Sequence, residues 1–434
     1  MTSANTTETI QYSLQRCRHK TALPPNHPSH DSFVSNSLRP RTFYSNRMVP
    51  LLDLKLQYNT LKSDIDAALL RVAASQACIL GPEVDALERA CEQYLGVRHA
   101  IGLSSGTDAL LLAYMALNIG PGDEVIVPTF SFFATAGCVS RVGARPVFVD
   151  VDPVTMNIDP AAVERAITPR TKAIVPVHLF GQSADMDALM AISLRTGIPI
   201  IEDAAQAIGT QWRDGRRVGS IGLMGCFSFY PTKNLGAFGD AGLITTNDDE
   251  LAVRLRQLRN HGMEPRYYHA VVGGNFRIDA IQAAVLCVKL PHLESWHAAR
   301  RANAATYEKL FIEAGVSSAP GVTEFTSSEL VLLPASVNAT AEAPNHHIFN
   351  QYTIRVQNRD AVRKQLAERG IGTEIYYPVP FHRQQCFAEL GYTDASFPIS
   401  NALADTVLSV PIFPELTSAQ IDEVVTAVCE IVRG

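Results

Sequence analysis

Short apolar segments alternate along the chain with longer stretches of helical periodicity. Six of these segments are predicted to be strands: 124–127, 146–149, 173–177, 198–201, 224–230 and 242–246. The first four are apolar on both faces, as strands of a parallel sheet covered by helices should be. Helical stretches over 159–166 and 185–195 each begin at an aspartate, a preferred N-cap residue. The pattern predicts an α/β protein with a mostly parallel, mixed sheet.

After residue 290 the alternation gives way to a long helical run over 292–315. A region of mixed strand and helix patterns follows, including a helix predicted over 418–432. The change predicts a large α/β domain over 48–290 and a smaller C-terminal α+β domain over 291–434, both of ordinary size.

The first 47 residues have a different composition, rich in Ser, Thr, Asn, Pro and His. They carry six Lys and Arg residues against two acidic ones, and four prolines interrupt any helical period. No apolar core of a secretory signal is present, and the fit to an organellar transit peptide is weak. We interpret residues 1–47 as a disordered extension, or as sequence upstream of a true start at Met48.

The charge, the apolar runs and the cysteines of the chain argue against several classes of protein. The chain of 434 residues has a net charge of −6 and no basic block, which argues against a nucleic-acid partner. It contains no apolar run of the length needed to span a membrane, and no cluster that suggests a metal site. Eight widely spaced cysteines without a C-x-x-C pair indicate free thiols in a reducing compartment, so a cytoplasmic protein is expected.

The first chemical motif is the segment 104–111, where a strand over 100–103 meets a polar turn and then an apolar helix. The backbone N–H groups of such a turn, the Thr107 hydroxyl and the helix N-terminus would together bind a phosphate. An ordinary N-cap explains the same residues equally well. Residues 102–106 also match the G-x-S-x-G nucleophile elbow, which leaves a serine hydrolase using Ser104 as an alternative function.

The second motif places Glu202 and Asp203 at the carboxyl end of an apolar strand, where ligands bind in open α/β sheets. A carboxylate buried there needs a cationic partner, and the protonated ring nitrogen of a pyridoxal cofactor is one such group. We assign this functional role to Asp203 and interpret Glu202 as a helix cap.

The third motif is a lone lysine, Lys233, at the end of an aromatic strand and in a turn bounded by proline and glycine. Desolvation in a pocket would lower the pKa of this amine and free it to form a Schiff base. Ser228, five residues earlier, is placed to reach a phosphate.

The fourth motif, 273–284, opens with two glycines, continues with Asn275 and Arg277, and enters a helix at about Asp279. Arginine binds carboxylate or phosphate through a bidentate fork. A surface loop followed by an N-cap is the alternative explanation.

From Met48 onward the chain resembles the DegT/DnrJ/EryC1/StrS family of pyridoxal-phosphate-dependent sugar aminotransferases. The resemblance rests on five segments in matching order and spacing: 105–110, 128–132, 202–206, 229–233 and 274–277. It implies the type I, aspartate-aminotransferase-like fold and a homodimer with shared active sites.

The resemblance also implies roles for residues around the cofactor ring. Lys233 would form the internal aldimine, Asp203 would pair with the pyridine nitrogen, and Gln206 would lie near the phenolic oxygen of the ring. Phe132 stands where the family places a ring over the cofactor, although tryptophan is common at that position. The phosphate would be held by a set that includes one residue from the other subunit: Gly106, Thr107, Ser228 and the partner's Asn275.

For the reaction, the resemblance implies ping-pong transfer of an amino group from L-glutamate to a nucleotide-linked keto sugar, with a C3 ketone favoured. Arg277 would meet a carboxylate of the donor or the sugar. Tyr377 replaces a histidine common in the family, and His382 follows it in a loop expected to face the substrate. Members that catalyse dehydration or deoxygenation have histidine in place of the lysine, so Lys233 favours transamination. A non-catalytic regulator of the same family remains an alternative.

Overall fold

The computed structural model describes residues 48–434, so the interpretation of residues 1–47 lies outside the described chain. Seven strands belong to the first part of the fold: β1 His99–Leu103, β2 Glu124–Pro128, β3 Arg145–Val149, β4 Thr171–Ile174, β5 Ile201–Asp203, β6 Met224–Ser228 and β7 Gly242–Thr246. Three more follow: β8 Val331–Leu332, β9 Tyr352–Val356 and β10 Val407–Val410.

Eight helices accompany the first seven strands: α1 Leu54–Ser75, α2 Pro82–Leu95, α3 Gly106–Ala116, α4 Ala134–Arg141, α5 Pro160–Ala166, α6 Met186–Thr196, α7 Asp249–Arg259 and α8 Ala280–Lys289. Four more complete the chain: α9 Leu293–Glu313, α10 Arg359–Glu368, α11 Pro398–Thr406 and α12 Ser418–Arg433. The aspartate N-caps expected from the sequence are confirmed for α5 and α6, because the Asp159 and Asp185 side chains accept hydrogen bonds from first-turn N–H groups.

The first seven strands lie in the order β3-β2-β4 and β5-β6-β7-β1. Isolated parallel bridges, Ile174 with Ile200 and Val177 with Asp203, connect β4 to β5. Strand β7 runs antiparallel to both of its neighbours, whereas the pairs β2–β3, β2–β4 and β5–β6 are parallel. The predicted α/β class with a mostly parallel, mixed sheet is confirmed.

This topology brings three chain segments to one edge of the sheet. The parallel strands β5 and β6 end there at Asp203 and Ser228, which lie on adjacent strands. Gly242 of β7 pairs with Ser228 on one side and with Leu103 on the other, so the turn after β1 reaches the same edge. Carboxyl ends of parallel strands are where ligands bind in such sheets.

The C-terminal part contains a small antiparallel sheet of order β10-β9-β8, packed with the later helices. Its core is continuous with that of the first part, since buried Ile354 and Val428 belong to the same apolar cluster as Phe130 and Val177. The domain boundary at 290/291 stays a prediction.

The expectations about membrane-spanning helices, metal sites and cysteines concern the whole described chain. Between residues 48 and 434, no helix combines the length and apolarity needed to cross a membrane. Within the same range no three His, Cys, Asp or Glu side chains come together as a metal site, and all seven described cysteines are free thiols.

Candidate active site

Asp203 lies at the end of β5 with a side chain removed from solvent. Its Oδ2 accepts a hydrogen bond from Thr135 Oγ1 at 2.8 Å, and its Oδ1 accepts one from the Ala205 N–H at 3.2 Å. Burial raises the pKa of the Asp203 carboxyl, although Thr135, Ala205 and the charge of Lys233 act in the opposite direction. The site thus holds a carboxyl group whose negative charge would be stabilised by a cation placed beside it.

The neighbouring Glu202 has a structural role that differs from the expected helix cap. Its carboxylate is fully buried and accepts hydrogen bonds from His178 Nε2 at 2.9 Å and from three N–H groups of the turn 219–222. The backbone N–H of His178 in turn donates to the Asp203 carbonyl at 3.0 Å. Glu202 therefore holds the turn 219–222 against the end of the strand that carries Asp203. It does not cap a helix.

Lys233 lies in the loop that follows β6, and its backbone N–H donates to the Tyr230 carbonyl at 2.8 Å. Within residues 48–434 the structure shows no hydrogen bond to its Nζ. Burial lowers the pKa of the Lys233 amine to about 8, against a smaller opposing effect from the Asp203 carboxylate. An amine in this state is unprotonated often enough near neutral pH to attack an aldehyde.

The turn after β1 has the features of an anion cradle. Ser105 caps α3, accepting from the Asp108 N–H at 3.0 Å, and Gly106 and Thr107 form the first turn of the helix. A Cβ on Gly106 would lie 2.8 Å from the Ser228 Cβ, so glycine is required for this close approach. The helix N-terminus and Ser228 therefore meet at the place where the sequence predicted a phosphate.

The same turn does not form the machinery of a serine hydrolase. The Ser104 hydroxyl donates to Asp108 Oδ2 at 2.6 Å, an acidic partner four residues along the same turn. A catalytic serine needs a general base, usually histidine, as its partner. This alternative is wrong, as the family assignment below also indicates.

Gln206, Tyr377 and Phe132 form a connected group of side chains, and Gln206 follows Asp203 by three residues. Gln206 Oε1 accepts from the Phe180 N–H at 2.7 Å, and its Nε2 donates to the Tyr377 hydroxyl at 3.0 Å. The rings of Phe132 and Tyr377 lie 6.1 Å apart, and 56% of Phe132 is exposed. The exposed Phe132 ring is free to cover a flat ligand, which is the role predicted for it.

His382 lies in the interior, in contrast to the expectation of a loop that faces the substrate. Its side chain is 1% exposed, its Nδ1 lies 3.0 Å from Thr129 Oγ1, and its ring packs 4.7 Å from that of Phe397. Burial and the nearby Arg383 lower the pKa of this imidazole. The placement corrects the sequence-based expectation: the imidazole is packed among protein groups and is not presented to a substrate.

Asn275 and Arg277 lie in an open segment beside the end of β1. Arg277 pairs with Leu103 through an isolated bridge, and its Nη1 donates to Asn260 Oδ1 at 2.6 Å. Its Nε has no partner among the described residues, and Asn275 is exposed. Arg277 also lines a groove of about 840 Å³ together with Asn260, His261, Tyr267 and His269.

Comparison with known proteins identifies the family to which this chain belongs. The model of the DegT/DnrJ/EryC1/StrS aminotransferase family matches residues 59–429. The chain belongs to this family. It shares 49% identity over 385 residues with a pleiotropic regulatory protein of Geobacillus stearothermophilus, covering 89% of this chain and 99% of that one.

One further relative carries an enzymatic name, and one similar crystal structure contains a reaction intermediate. A UDP-N-acetyl-3-dehydro-alpha-D-glucosamine 3-aminotransferase of Acidithiobacillus ferrooxidans is 44% identical over 389 residues, covering 90% of this chain and 99% of its own. The crystal structure of S. venezuelae DesV in complex with a ketimine intermediate superposes with a TM-score of 0.81 at 44% identity, covering 89% and 99% of the two chains. The protein is thus a family aminotransferase with fold type I, and its cofactor is pyridoxal 5′-phosphate.

The residues present fit the family cofactor. Gly106 leaves space beside Ser228 that a Cβ would fill, Asp203 is a buried carboxyl group without a full counter-charge, and the Lys233 amine has a lowered pKa. These three features would suit, respectively, a phosphate, a protonated ring nitrogen and an aldehyde carbon.

Sequence reasoning missed Thr135 and His178, which hold the Asp203 side chain and backbone. Thr135 lies 68 residues before Asp203 in the chain, in the second position of α4. No local pattern marks either residue, although the family segment 128–132 ends just before Thr135.

Proposed function

We propose that this aminotransferase moves an amino group from L-glutamate to the C3 ketone of a nucleotide-linked sugar. The observation that carries the proposal is the meeting of Lys233 with Asp203 at one edge of the sheet, where the charge of one affects the pKa of the other. One side chain supplies a reactive amine and the other supplies a fixed negative charge. A ping-pong transamination requires both groups in one pocket.

Each residue has a distinct task in this proposal. Gly106, Thr107, Ser228 and the Asn275 of a second subunit would hold the phosphate of the cofactor, and Phe132 would cover its ring. When bound, the cofactor supplies an electron-withdrawing ring that stabilises negative charge at the substrate carbon. Asp203 would stabilise a protonated ring nitrogen through its negative charge. The Lys233 Nζ would act as the base that takes a proton from the α-carbon of the donor and as the acid that gives it back.

The choice of substrate draws on the relatives and on one feature of this chain. The Acidithiobacillus ferrooxidans relative is named for amination at C3 of a UDP-linked 3-dehydro sugar. Arg277 lines the groove described above together with two histidines, His261 and His269. A guanidinium so placed supports recognition of a carboxylate, either of L-glutamate or of a sugar acid.

We further propose a cytoplasmic homodimer in which each subunit completes the site of the other. The exposed Asn275 supports this arrangement, because the position is free to approach a second chain. The free thiols among residues 48–434 support a reducing compartment.

The test begins with purified enzyme loaded with cofactor and then mixed with L-glutamate. We expect 2-oxoglutarate and loss of the visible absorption band, followed by amination when UDP- or dTDP-linked 3-keto hexoses and hexuronic acids are screened by mass spectrometry. Lys233→Ala is the matched control and should be colourless as isolated, with the half-reaction slower by at least about 10³-fold. A colourless wild-type protein, or amination that persists in Lys233→Ala, would refute the proposal.

A regulatory role without catalysis is the competing function, because one relative of 49% identity bears a regulatory name. A regulator of this kind would bind the cofactor at Lys233 without forming 2-oxoglutarate. The glutamate half-reaction therefore separates the two functions before any sugar is tried.

A further inference from the structure

Lys289, the last residue of α8, is a buried lysine outside the residues assigned to the cofactor. Only 3% of it is exposed, its Nζ donates to the Gly236 carbonyl at 2.7 Å, and it lies 5.0 Å from the centre of the Phe238 ring. Burial lowers the pKa of its amine to about 8. Burying an ammonium group with one carbonyl partner is costly, and an apolar side chain of the same length would fill the space at lower cost.

Gly236 belongs to the loop that carries Lys233. The loop is closed by two backbone hydrogen bonds of 2.8 Å, from Lys233 N–H to the Tyr230 carbonyl and from Ala237 N–H to the Phe229 carbonyl. A Cβ on Gly236 would collide with the Pro231 carbonyl, so the loop is tightly wound. A rotation of the Gly236 peptide therefore changes the path of the loop on which Lys233 is mounted.

Helix α8 contacts the same loop at a second point. Gln282 Oε1 accepts a hydrogen bond from the Phe238 N–H at 2.8 Å. Positions 282 and 289 are two helical turns apart and so lie on one face of α8. The buried Val285 lies one turn before Lys289, but it packs in a cluster with Leu61 and Ile65 of α1, separate from the cluster that holds Leu235 and Ala237 of the loop.

We propose that Lys289 is a positioning residue for Lys233. Its bond to the Gly236 carbonyl fixes the loop, so that the Lys233 amine points to the aldehyde carbon of the bound cofactor. The inference rests on the proposed role of Lys233. It adds that the buried Lys289 holds the loop that sets the position of Lys233.

The experiment compares three variants loaded with pyridoxal phosphate. Lys289→Met keeps the side-chain length and removes the donor, and Lys289→Arg restores a cationic donor. Val285→Ala is the control, since it removes packing next to Lys289 and leaves both hydrogen bonds between α8 and the lysine loop in place. The readouts are the apparent Kd for pyridoxal phosphate, the pH midpoint of the visible absorption band, and the Tm of the apoprotein.

We expect Lys289→Met to bind the cofactor about tenfold more weakly, as the loss of one charged hydrogen bond implies. The pH midpoint of the band should move, and Lys289→Arg should recover at least part of both changes. Val285→Ala should lower the Tm and leave both cofactor readouts near those of the wild type. Unchanged readouts in Lys289→Met, or equal changes in Val285→Ala, would overturn the positioning role.

A replacement variant and a mapping of the cofactor attachment ensure that the experiment can refute the proposal. If Lys289→Met does not fold, Lys289→Gln is used in its place with the same expectations, because its amide is neutral and ends one atom short of the lysine Nζ position. Borohydride reduction and peptide mapping of the wild type locate the cofactor. A label absent from Lys233 refutes the proposed function itself, whereas a label on Lys233 with normal Lys289→Met readouts refutes only the positioning role.

Discussion

The Asp203–Lys233 pocket and the segment 260–277 differ in how far their own chain completes them. The pocket is internal: the Asp203 carboxyl is buried and bonded to Thr135 and to a backbone N–H. The segment 260–277 is open, with Tyr267 74% exposed and Tyr268 70% exposed. The Asp203 carboxyl is already hydrogen-bonded within its own chain, whereas the open segment presents side chains to solvent.

The difference has an energetic reason. An electrostatic partner for a ring nitrogen must be oriented in advance, because reorienting a buried carboxylate during the reaction would add to the barrier. Groups that recognise a large substrate are better ordered by the substrate or by a second subunit, which offsets their loss of conformational freedom. The comparison therefore predicts that substitutions in the pocket affect chemistry, and that substitutions in the open segment affect assembly and recognition.

The largest effect is expected from Asp203→Asn, which keeps the shape of the pocket and removes its charge. The glutamate half-reaction should slow by about 10²-fold or more, as for the removal of a preorganised electrostatic group. The apoprotein of this variant, in contrast, should be as stable as the wild type or more stable. Because burial raises the pKa of Asp203, the folded protein loses stability as the pH rises from the unfolded value of about 3.9 through the folded pKa.

At neutral pH the asparagine variant is free of that loss, and its apoprotein should unfold at an equal or higher denaturant concentration. Stopped-flow absorbance measures the half-reaction, and denaturation of the apoprotein measures stability. A variant that is both slow and much less stable would show that the pocket is held together by the Asp203 charge, contrary to this comparison.

Sequence reasoning succeeded where the signal is local and failed where it is not. Asp203 at a strand end and Lys233 in a Pro- and Gly-bounded turn are each marked by their immediate neighbours, so both could be predicted. Thr135 and His178 come from distant segments, and only the order of strands in the sheet brings them to Asp203. The amphipathic α2 carries six charged or polar side chains among its fourteen residues, and its pattern did not stand out beside the apolar strands.

The open segment is tested by hybrid dimers of Lys233→Ala and Asn275→Ala subunits. If Asn275 serves the site of the other subunit, the hybrid has one site with both defects and one site with none. The isolated hybrid should then have about half of wild-type activity, more than either parent variant alone. Co-expression with two affinity tags isolates the hybrid, and the glutamate half-reaction measures it.

A control hybrid of Lys233→Ala with Asp203→Asn should behave differently if both residues serve one site within one chain. Each of its two sites then carries one defect and neither is intact, so its activity should be no higher than the mean of the two parents. Activity in the Asn275 hybrid no higher than the mean of the two parents would place Asn275 in the site of its own chain.

A smaller effect concerns the pH dependence of cofactor capture by the apoprotein. Burial lowers the pKa of Lys233 from 10.5 to about 8, and only the unprotonated amine attacks an aldehyde. The rate at which the visible band appears should therefore rise with pH and level off above a midpoint near 8. Since the Asp203 charge raises the pKa of Lys233, Asp203→Asn should lower this midpoint. A midpoint near 10.5 in the wild type would mean that the amine is exposed.

The smallest catalytic effect is expected from His382, which the structure places in the core although the sequence suggested the substrate site. In His382→Leu the hydrogen bond to Thr129 is lost, and Thr129 Oγ1 is left buried without that partner. The free energy of unfolding should fall by about 1–2 kcal/mol, while kcat/KM for L-glutamate and the sugar should stay within about threefold of wild type. The double variant Thr129→Val with His382→Leu should recover part of the stability, because it removes both polar partners together. A loss of kcat/KM beyond tenfold with unchanged stability would instead assign the imidazole to the substrate, and the boundary between the buried pocket and the open segment would then have to include the loop at 382.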